Sequence, residues 1–282
     1  MNPVIAKAPG FATQREIIYR TAGRAHGAIN RVLSPGDVGE LIKPFIFLDY
    51  FNATPNEGPA FGWHPHSGLA TLTLLLTGST TYADSTGKSG QLAAGSVEWM
   101  RSGSGVWHTG TLSGAERVSG FQLWVALPPQ LEHAAPLSQY LSPDEVQRDG
   151  PVRVALGSYG KASSKIEAPS PINYLHVQLK AGERWRYQPP AGHDVAWVFV
   201  HQGRLHAAGE VVAAELAVFS ESEAAIEFEA EGETAFVLGS AVKHPHELVS
   251  GYYSVHTSDA ALETGEAEIR RLGADLRARG VL

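Results

Sequence analysis

The sequence predicts an all-β protein: two antiparallel β-barrels followed by a C-terminal helix. Three observations carry this. Short runs of β-branched and aromatic residues recur along the chain, separated by Gly- and Pro-containing turns. That is the pattern of antiparallel barrels rather than of a parallel sheet. The runs form two sets, on either side of a break at Pro128-Pro129. Finally, Leu262, Ile269, Leu272 and Leu276 recur at helical spacing near the C-terminus. A chain of 282 residues exceeds the usual size of one core, so two domains of about 130 residues each are expected. Residues 1–127 form the first domain, 128–151 a linker, 152–257 the second domain and 258–282 a helical tail.

The elements follow in order. Arg15 to Tyr19 reads as an edge strand and Phe45 to Phe51 as a buried one. Residues 52–62 carry Pro and Gly and read as a loop. In Leu69 to Leu76, Thr71 and Thr73 alternate with Leu72 and Leu74, and Gly78 ends the strand. Thr80 to Asp84 runs into a turn over Ser85 to Lys88. Val97 to Met100 and Phe121 to Leu127 are further strands. Ser142-Pro143-Asp144-Glu145 offers an N-cap, Pro at the first helical position and acids behind it, predicting a short helix. The second set is Val152–Leu156, Tyr174–Leu179, Val195–Val200, Leu216–Phe219, Ala225–Glu229 and Thr234–Leu238. In the tail, Gly265 and Gly273 oppose the helical pattern.

Composition excludes several functions. There are 12 His and no Cys, so disulfides and Cys-ligated iron–sulfur or zinc sites are ruled out. A net charge of −7 without a dense Lys/Arg run argues against nucleic acid as a partner. The start of the chain lacks the apolar run of a signal peptide, and runs such as Val195 to Val200 are too short to cross a bilayer. A monomeric cytoplasmic protein is expected. The glycine-containing runs at 102–105 and 157–160 lack the Gly-Lys-Ser/Thr and strand–loop–helix context of phosphate loops and read as turns.

The chemistry concentrates in His64-Pro65-His66 and His108. Residues two apart in a strand share a face, and neutral imidazole is the commonest metal ligand. Each His alone is an ordinary polar residue; ligand number and arrangement together mark a site. A metal site at His64, His66 and His108 is therefore expected. His244-Pro245-His246 repeats the pair without a third His at matching spacing and reads as structural. His193, His201 and His206 show no such pair, so the second barrel is expected to be metal-free. Trp63, Trp99, Trp107 and Trp124 read as core residues. Trp63 and Trp107 directly precede site histidines and so can also wall a pocket.

Gly58, five residues, His64, one residue and His66 is how a cupin first motif begins. Gly105, two residues and His108 is the core of the second. With PFIFLDYF (44–51), HPHSGLATLTLLLTG (64–78), VEWMRSGSGVWH (97–108) and FQLWVALP (121–128), the chain resembles the pirin branch of the cupins. The resemblance covers nearly the whole chain and is strongest in the N-terminal half. It implies a bicupin with one mononuclear centre in the first barrel, holding Fe(II) or another divalent transition metal on His64, His66 and His108. Some members are similar to quercetin dioxygenases. There the metal takes the flavonol's 3-hydroxyl and 4-carbonyl as a Lewis acid, a carboxylate removes the hydroxyl proton, and O₂ attacks the activated ring. Other members act as metal- or redox-responsive protein partners.

The chain departs from the family in its acids. The Glu that follows a cupin's second His by three or four residues is replaced by Ala70 or Thr71. The pirin Glu two residues after the last His is replaced by Gly110. Two His and a carboxylate favour Fe(II); three neutral nitrogens should hold a divalent ion less tightly. Asp49 and Glu98 can stand in, or be ordinary strand residues, and Gln122 can hydrogen-bond to a ligand. The proton-accepting role has no clear owner, so weak flavonol cleavage is expected. The alternatives are a non-enzymatic regulatory or binding protein, or an oxygenase for another small molecule on a three-His centre.

Overall fold

The computed structural model describes residues 15–55, 61–114 and 117–282. Gly58, the first glycine of the cupin pattern, lies outside the described residues. The first half contains β1 (Ile17–Thr21), β2 (Arg24–His26), β3 (Ile29–Leu33), α1 (Gly39–Ile42), β4 (Phe45–Ala53), β5 (Phe61–His66) and β6 (Leu69–Thr77). It continues with β7 (Ser79–Asp84), β8 (Ser89–Ala93), β9 (Val97–Arg101), β10 (Val106–Ser113), β11 (Val118–Ala126) and β12 (Leu137–Leu141). A seven-stranded sheet, β12-β9-β6-β11-β4-β3-β2, faces a four-stranded one, β5-β10-β7-β8.

The second half repeats this plan. It runs β13 (Arg148–Asp149), β14 (Val152–Leu156), β15 (Ser158–Tyr159), β16 (Ala162–Ser163), β17 (Ile172–Leu179), β18 (Arg184–Tyr187), β19 (Val195–Gln202) and β20 (Leu205–Ala207). Then follow β21 (Glu210–Val212), β22 (Leu216–Phe219), β23 (Ile226–Ala230), β24 (Thr234–Ala241), β25 (Val249–Ser250), β26 (Val255–His256) and α2 (Asp259–Ala278). Again a seven-stranded sheet, β1-β22-β19-β24-β17-β14-β13, is paired with a four-stranded one, β18-β23-β20-β21. The fold is that of a bicupin. Among the described residues, no helix is long and apolar enough to cross a membrane.

Strand alternation decides what fills each barrel. The two large sheets pack together through one face, where Leu72, Phe121 and Leu123 meet Trp197, Phe199 and Val237 in one buried cluster. The second barrel's interior is closed by Val198, Leu175 and Phe236 against Trp185 and Phe228. In the first barrel, the alternate residues Asp49, Thr73, Glu98, Gln122 and Trp124 line a cavity of about 620 Å³. One barrel is packed with side chains and the other is hollow, lined by these polar groups together with aromatic ones.

Four expectations need correction. β1 does not join the N-terminal barrel: it pairs with β22, Ile17 opposite Phe219 and Thr21 opposite Leu216. The Arg15 guanidinium pins it there, donating to the Ser220 and Asp194 carbonyls at 2.8 and 2.6 Å. Residues 128–151 are not a bare linker, since β12 edges the first barrel's sheet and β13 the second's. The helix expected at 142–145 is a single turn, with the Glu145 and Val146 N–H groups both donating to the Ser142 carbonyl. The Glu145 carboxylate turns back to the Ser142 N–H and hydroxyl, so the cap residues satisfy one another without a helix behind them. The loop of 52–62 is shorter at both ends, because β4 continues to Ala53 and β5 begins at Phe61.

Candidate metal centre

His64 and His66 lie on β5 and His108 on β10, with His108 directly opposite His64 and Val106 opposite His66. Alternation turns both β5 histidines inward and Pro65 outward. A proline is tolerated there because β5 is the edge of its sheet. The imidazole centroids are 4.3 Å apart for His64–His108 and 5.1 Å for both His66–His108 and His64–His66. One ring nitrogen from each lies within 4.8 Å of the others.

The hydrogen bonds set the tautomers. His64 Nδ1 donates to the Gly62 carbonyl at 2.8 Å and His66 Nδ1 to the Tyr253 carbonyl at 3.1 Å. A carbonyl only accepts, so each Nδ1 carries the proton and each Nε2 keeps its lone pair. Burial, reinforced by His64, pushes His66 down to about 3. Burial drives His108 well below its ordinary value, and lowers His64 against the opposing effect of the Gly62 bond. All three are therefore neutral at pH 7. His108 Nε2 is buried with no hydrogen-bond partner, a costly condition for a polar atom. Three neutral imidazoles, one with an orphaned nitrogen, fit a divalent transition ion.

No carboxylate joins this group among the described residues. Gly110 lines the cavity two residues beyond His108, and a Cβ there would meet nothing closer than the Thr81 carbonyl at 3.7 Å. Ala70 belongs to the cluster between the barrels, so its position faces away from the imidazoles. Asp49 is clamped by Arg31 through two contacts of 3.0 Å. Burial raises its carboxyl, partly offset by that guanidinium. Glu98 accepts from the Thr73 hydroxyl at 2.9 Å. Burial raises it to about 7, with the Thr73 bond opposing and the Asp84 charge adding.

Both acids thus lie on the large sheet, in one row running across six strands. Arg31 is opposite Asp49, Asp49 opposite Gln122, Gln122 opposite Thr73, Thr73 opposite Glu98, and Glu98 opposite Tyr140. Aromatic pairs flank the row: Phe47 stacks on Trp124 at 4.1 Å and Tyr82 on Tyr140 at 4.0 Å. The Trp124 ring also meets His66 edge-on at 4.8 Å.

The four tryptophans separate. Trp63 and Trp124 line the cavity, and Trp99 belongs to the core between the barrels. Trp107 does not wall the pocket: alternation turns it outward, where its Nε1 donates to the Ile269 carbonyl of α2 at 2.8 Å. Elsewhere, His244 Nε2 approaches the Leu127 carbonyl at 3.2 Å and His246 is exposed. His193 bonds the Ser240 hydroxyl at 2.9 Å, and His176 and His201 face each other through Nε2 at 3.1 Å.

Residue-by-residue reading of the sequence misses the strap over residues 249–256. It lays Tyr252 and Tyr253 on the cavity rim, with the Tyr253 ring 5.9 Å from His64. A buried network fixes it. Ser67 Oγ donates to Ser254 Oγ at 2.9 Å and meets His256 Nε2 at 3.1 Å, while His256 Nδ1 faces Glu132 at 3.3 Å. Ser–His–Glu in this order resembles a hydrolytic triad, but Ser67 is 0% and His256 and Glu132 are 1% exposed. The network is a clamp. Glu132, His133 and His256 also form a second convergent group, in which Glu132 is already engaged by His256 and by the Thr257 N–H at 2.8 Å.

The comparisons with known proteins agree with this architecture. A family model described as Pirin matches residues 27–125. A Pirin-like protein of Caulobacter vibrioides is 32% identical, over 75% of this chain and 77% of its own length. The chain belongs to the pirin family. A Pseudomonas aeruginosa pirin relative, provisionally named a quercetin 2,3-dioxygenase, is 32% identical over 74% of this chain and 79% of its own. Among solved structures, quercetin 2,3-dioxygenase from Acinetobacter baumannii superposes with a TM-score of 0.83 at 23% identity, covering 92% of this chain and 98% of that one. The Escherichia coli pirin YhhW, solved with nickel(II), superposes with a TM-score of 0.64 at 19% identity, covering 82% and 98%. These two likenesses bear on the pirin fold alone.

Proposed function

We propose that this pirin holds a divalent transition metal, Fe(II) or a similar ion, on His64, His66 and His108, and uses it to bind a small hydroxylated aromatic molecule in the N-terminal cavity. The observation that carries this is the convergence of three neutral imidazoles on a hollow barrel walled by stacked aromatic rings. A bound ion would supply Lewis-acid chemistry toward the ligand's oxygens. The chain's own groups position that ligand: Trp124, Phe47 and Tyr82 offer ring faces, and the Gly62 and Tyr253 carbonyls hold two imidazoles in orientation. The relatives' names favour flavonol oxygenation as the reaction.

Metal content and flavonol turnover test this separately. His64→Ala should lose metal in elemental analysis of the purified protein, and His244→Ala should retain it; equal loss in both would reject the assignment. Gly110→Glu should tighten metal binding, because it adds an anionic ligand where the backbone leaves room. A second reading, a metal-binding protein without catalysis, is favoured by Gly110 itself: among the described residues no carboxylate converges with the imidazoles to accept a hydroxyl proton, a role typically worth about 10²- to 10⁴-fold. Oxygen uptake with quercetin should accordingly be weak in the unmodified protein and higher in Gly110→Glu. Rapid uptake by the unmodified protein would exclude the non-catalytic reading.

A further inference from the structure

The floor of the cavity carries a polar row that the three imidazoles do not use. It lies on the large sheet, whereas the imidazoles lie on β5 and β10 of the smaller one. The row does not balance its own hydrogen bonds. Asp49 is satisfied by Arg31. Thr73 donates its one hydroxyl hydrogen to Glu98 Oε2 at 2.9 Å, so its oxygen accepts from the Gln122 amide 3.0 Å away, which turns its NH2 towards Thr73. The other atom of that amide, its oxygen, is buried with no partner. Among the described residues, Glu98 has this one hydrogen-bond partner, and it is 7% exposed. A buried carboxyl group so weakly satisfied is expensive. The row therefore lacks one donor at Glu98 and one at Gln122, on positions separated by Thr73.

We propose that Glu98 and Gln122 form a recognition site for a catechol: one hydroxyl donates to Glu98, and the adjacent hydroxyl donates to the Gln122 amide oxygen. The inference rests on the proposed aromatic ligand and names a second set of groups that it meets besides the imidazoles. The cavity volume of about 620 Å³ suits one molecule with linked rings, and the stacked pairs Tyr82–Tyr140 and Phe47–Trp124 supply faces beside the row. No bond to carbon changes; the phenolic hydrogen is shared with Glu98 or passes to it. The groups facing Glu98 are Thr73, Tyr140, Tyr82 and Asp84, with Lys88 6.0 Å from the Tyr140 ring. None is a cation paired to Glu98. Its carboxyl, raised to about 7 by burial, is a stronger acceptor than an ordinary carboxylate.

Calorimetric titration without oxygen separates binding from turnover. The probes are quercetin, which carries a catechol on its far ring, and galangin, the same flavonol without those two hydroxyls. The metal-loaded protein should prefer quercetin by roughly tenfold. Glu98→Gln, which keeps the size and can still accept from Thr73, should abolish most of that preference while binding galangin as before. Gln122→Ala should reduce it as well, and serves as the test if Glu98→Gln does not fold. Lowering the pH from 8 to 6 should shrink the preference in the unmodified protein and leave Glu98→Gln unchanged. If both flavonols bind but the ratio is the same with and without Glu98, the catechol site is overturned and the aromatic cavity stands. If neither flavonol binds the unmodified protein, both readings fall.

Discussion

Glu98 shows what a single buried carboxyl costs. Its ordinary value of 4.5 is raised to about 7, chiefly by burial. Between those values the folded state holds a proton that the unfolded chain has released, so stability falls as pH rises. By pH 8 the loss attributable to Glu98 is on the order of 3 kcal/mol. Glu98→Gln does not ionise, so it should gain stability relative to the unmodified protein between pH 5 and pH 8. Thermal melts across that range measure it, and a constant difference between the two proteins would show that Glu98 ionises without penalty. In the sequence, Glu98 was legible only as a stand-in for a missing acid, because alternation assigns its face but not what lies opposite. His64, His66 and His108 were more legible, since their spacing alone predicts convergence. Tyr253, which orients His66 from 187 positions away, left no local trace.

At the scale of elements, the glycines of α2 reverse their usual meaning. Ser258 caps the helix through its hydroxyl, which accepts from the Ala261 N–H at 3.2 Å. Gly265 and Gly273 then oppose helix formation, each by about 1 kcal/mol relative to Ala. Packing accounts for them. A Cβ at Gly265 would sit 2.4 Å from His256 Nε2 and 2.5 Å from Ser67 Oγ, and one at Gly273 would sit 2.7 Å from the Trp107 ring. The helix approaches the clamp and the back of β10 through these two positions. Gly265→Ala should therefore destabilise the protein by roughly 1–3 kcal/mol despite better helix propensity, seen as a lower denaturant midpoint. A higher midpoint would mean that the contact yields. The strands were legible from Thr71 and Thr73 alternating with Leu72 and Leu74 in β6, and from the continuous β-branched and aromatic run of β19. The turn at 142–145 was misread because Ser and Glu three apart cap a single turn as well as a helix. β1 was legible as an edge strand, but its partner β22 lies about 200 positions away, beyond any local pattern.

At the scale of the whole molecule, the two barrels divide their work. The second, filled with apolar side chains, presents a large sheet against which the hollow first barrel is held. β1 ties the start of the described chain to that second sheet, and the strap at 249–256 returns to the first barrel's rim. Within the seam between the sheets, His201 packs against Tyr50 and Phe121, with centroids 5.8 and 5.5 Å away. It meets His176 through the two Nε2 atoms at 3.1 Å, one donating and the other accepting. That bond requires at least one neutral ring. Burial is the main cause that pushes His176 down to about 3 and His201 down to about 4. In the unfolded chain both would protonate near 6.5. The folded pair thus contributes stability that is fully present above pH 6.5 and is lost as pH falls toward 4, at about 1.4 kcal/mol per pH unit for each ring. His64, His66 and His108 add to the same slope when no metal is bound. The metal-free protein should therefore lose thermal stability steeply between pH 6.5 and pH 4. The double variant His176→Gln, His201→Gln, whose amides can bond to each other without titrating, should lose it less steeply. Parallel pH profiles for the two proteins would show that the seam opens to water before its histidines protonate, and would assign the acid sensitivity to the cavity histidines alone.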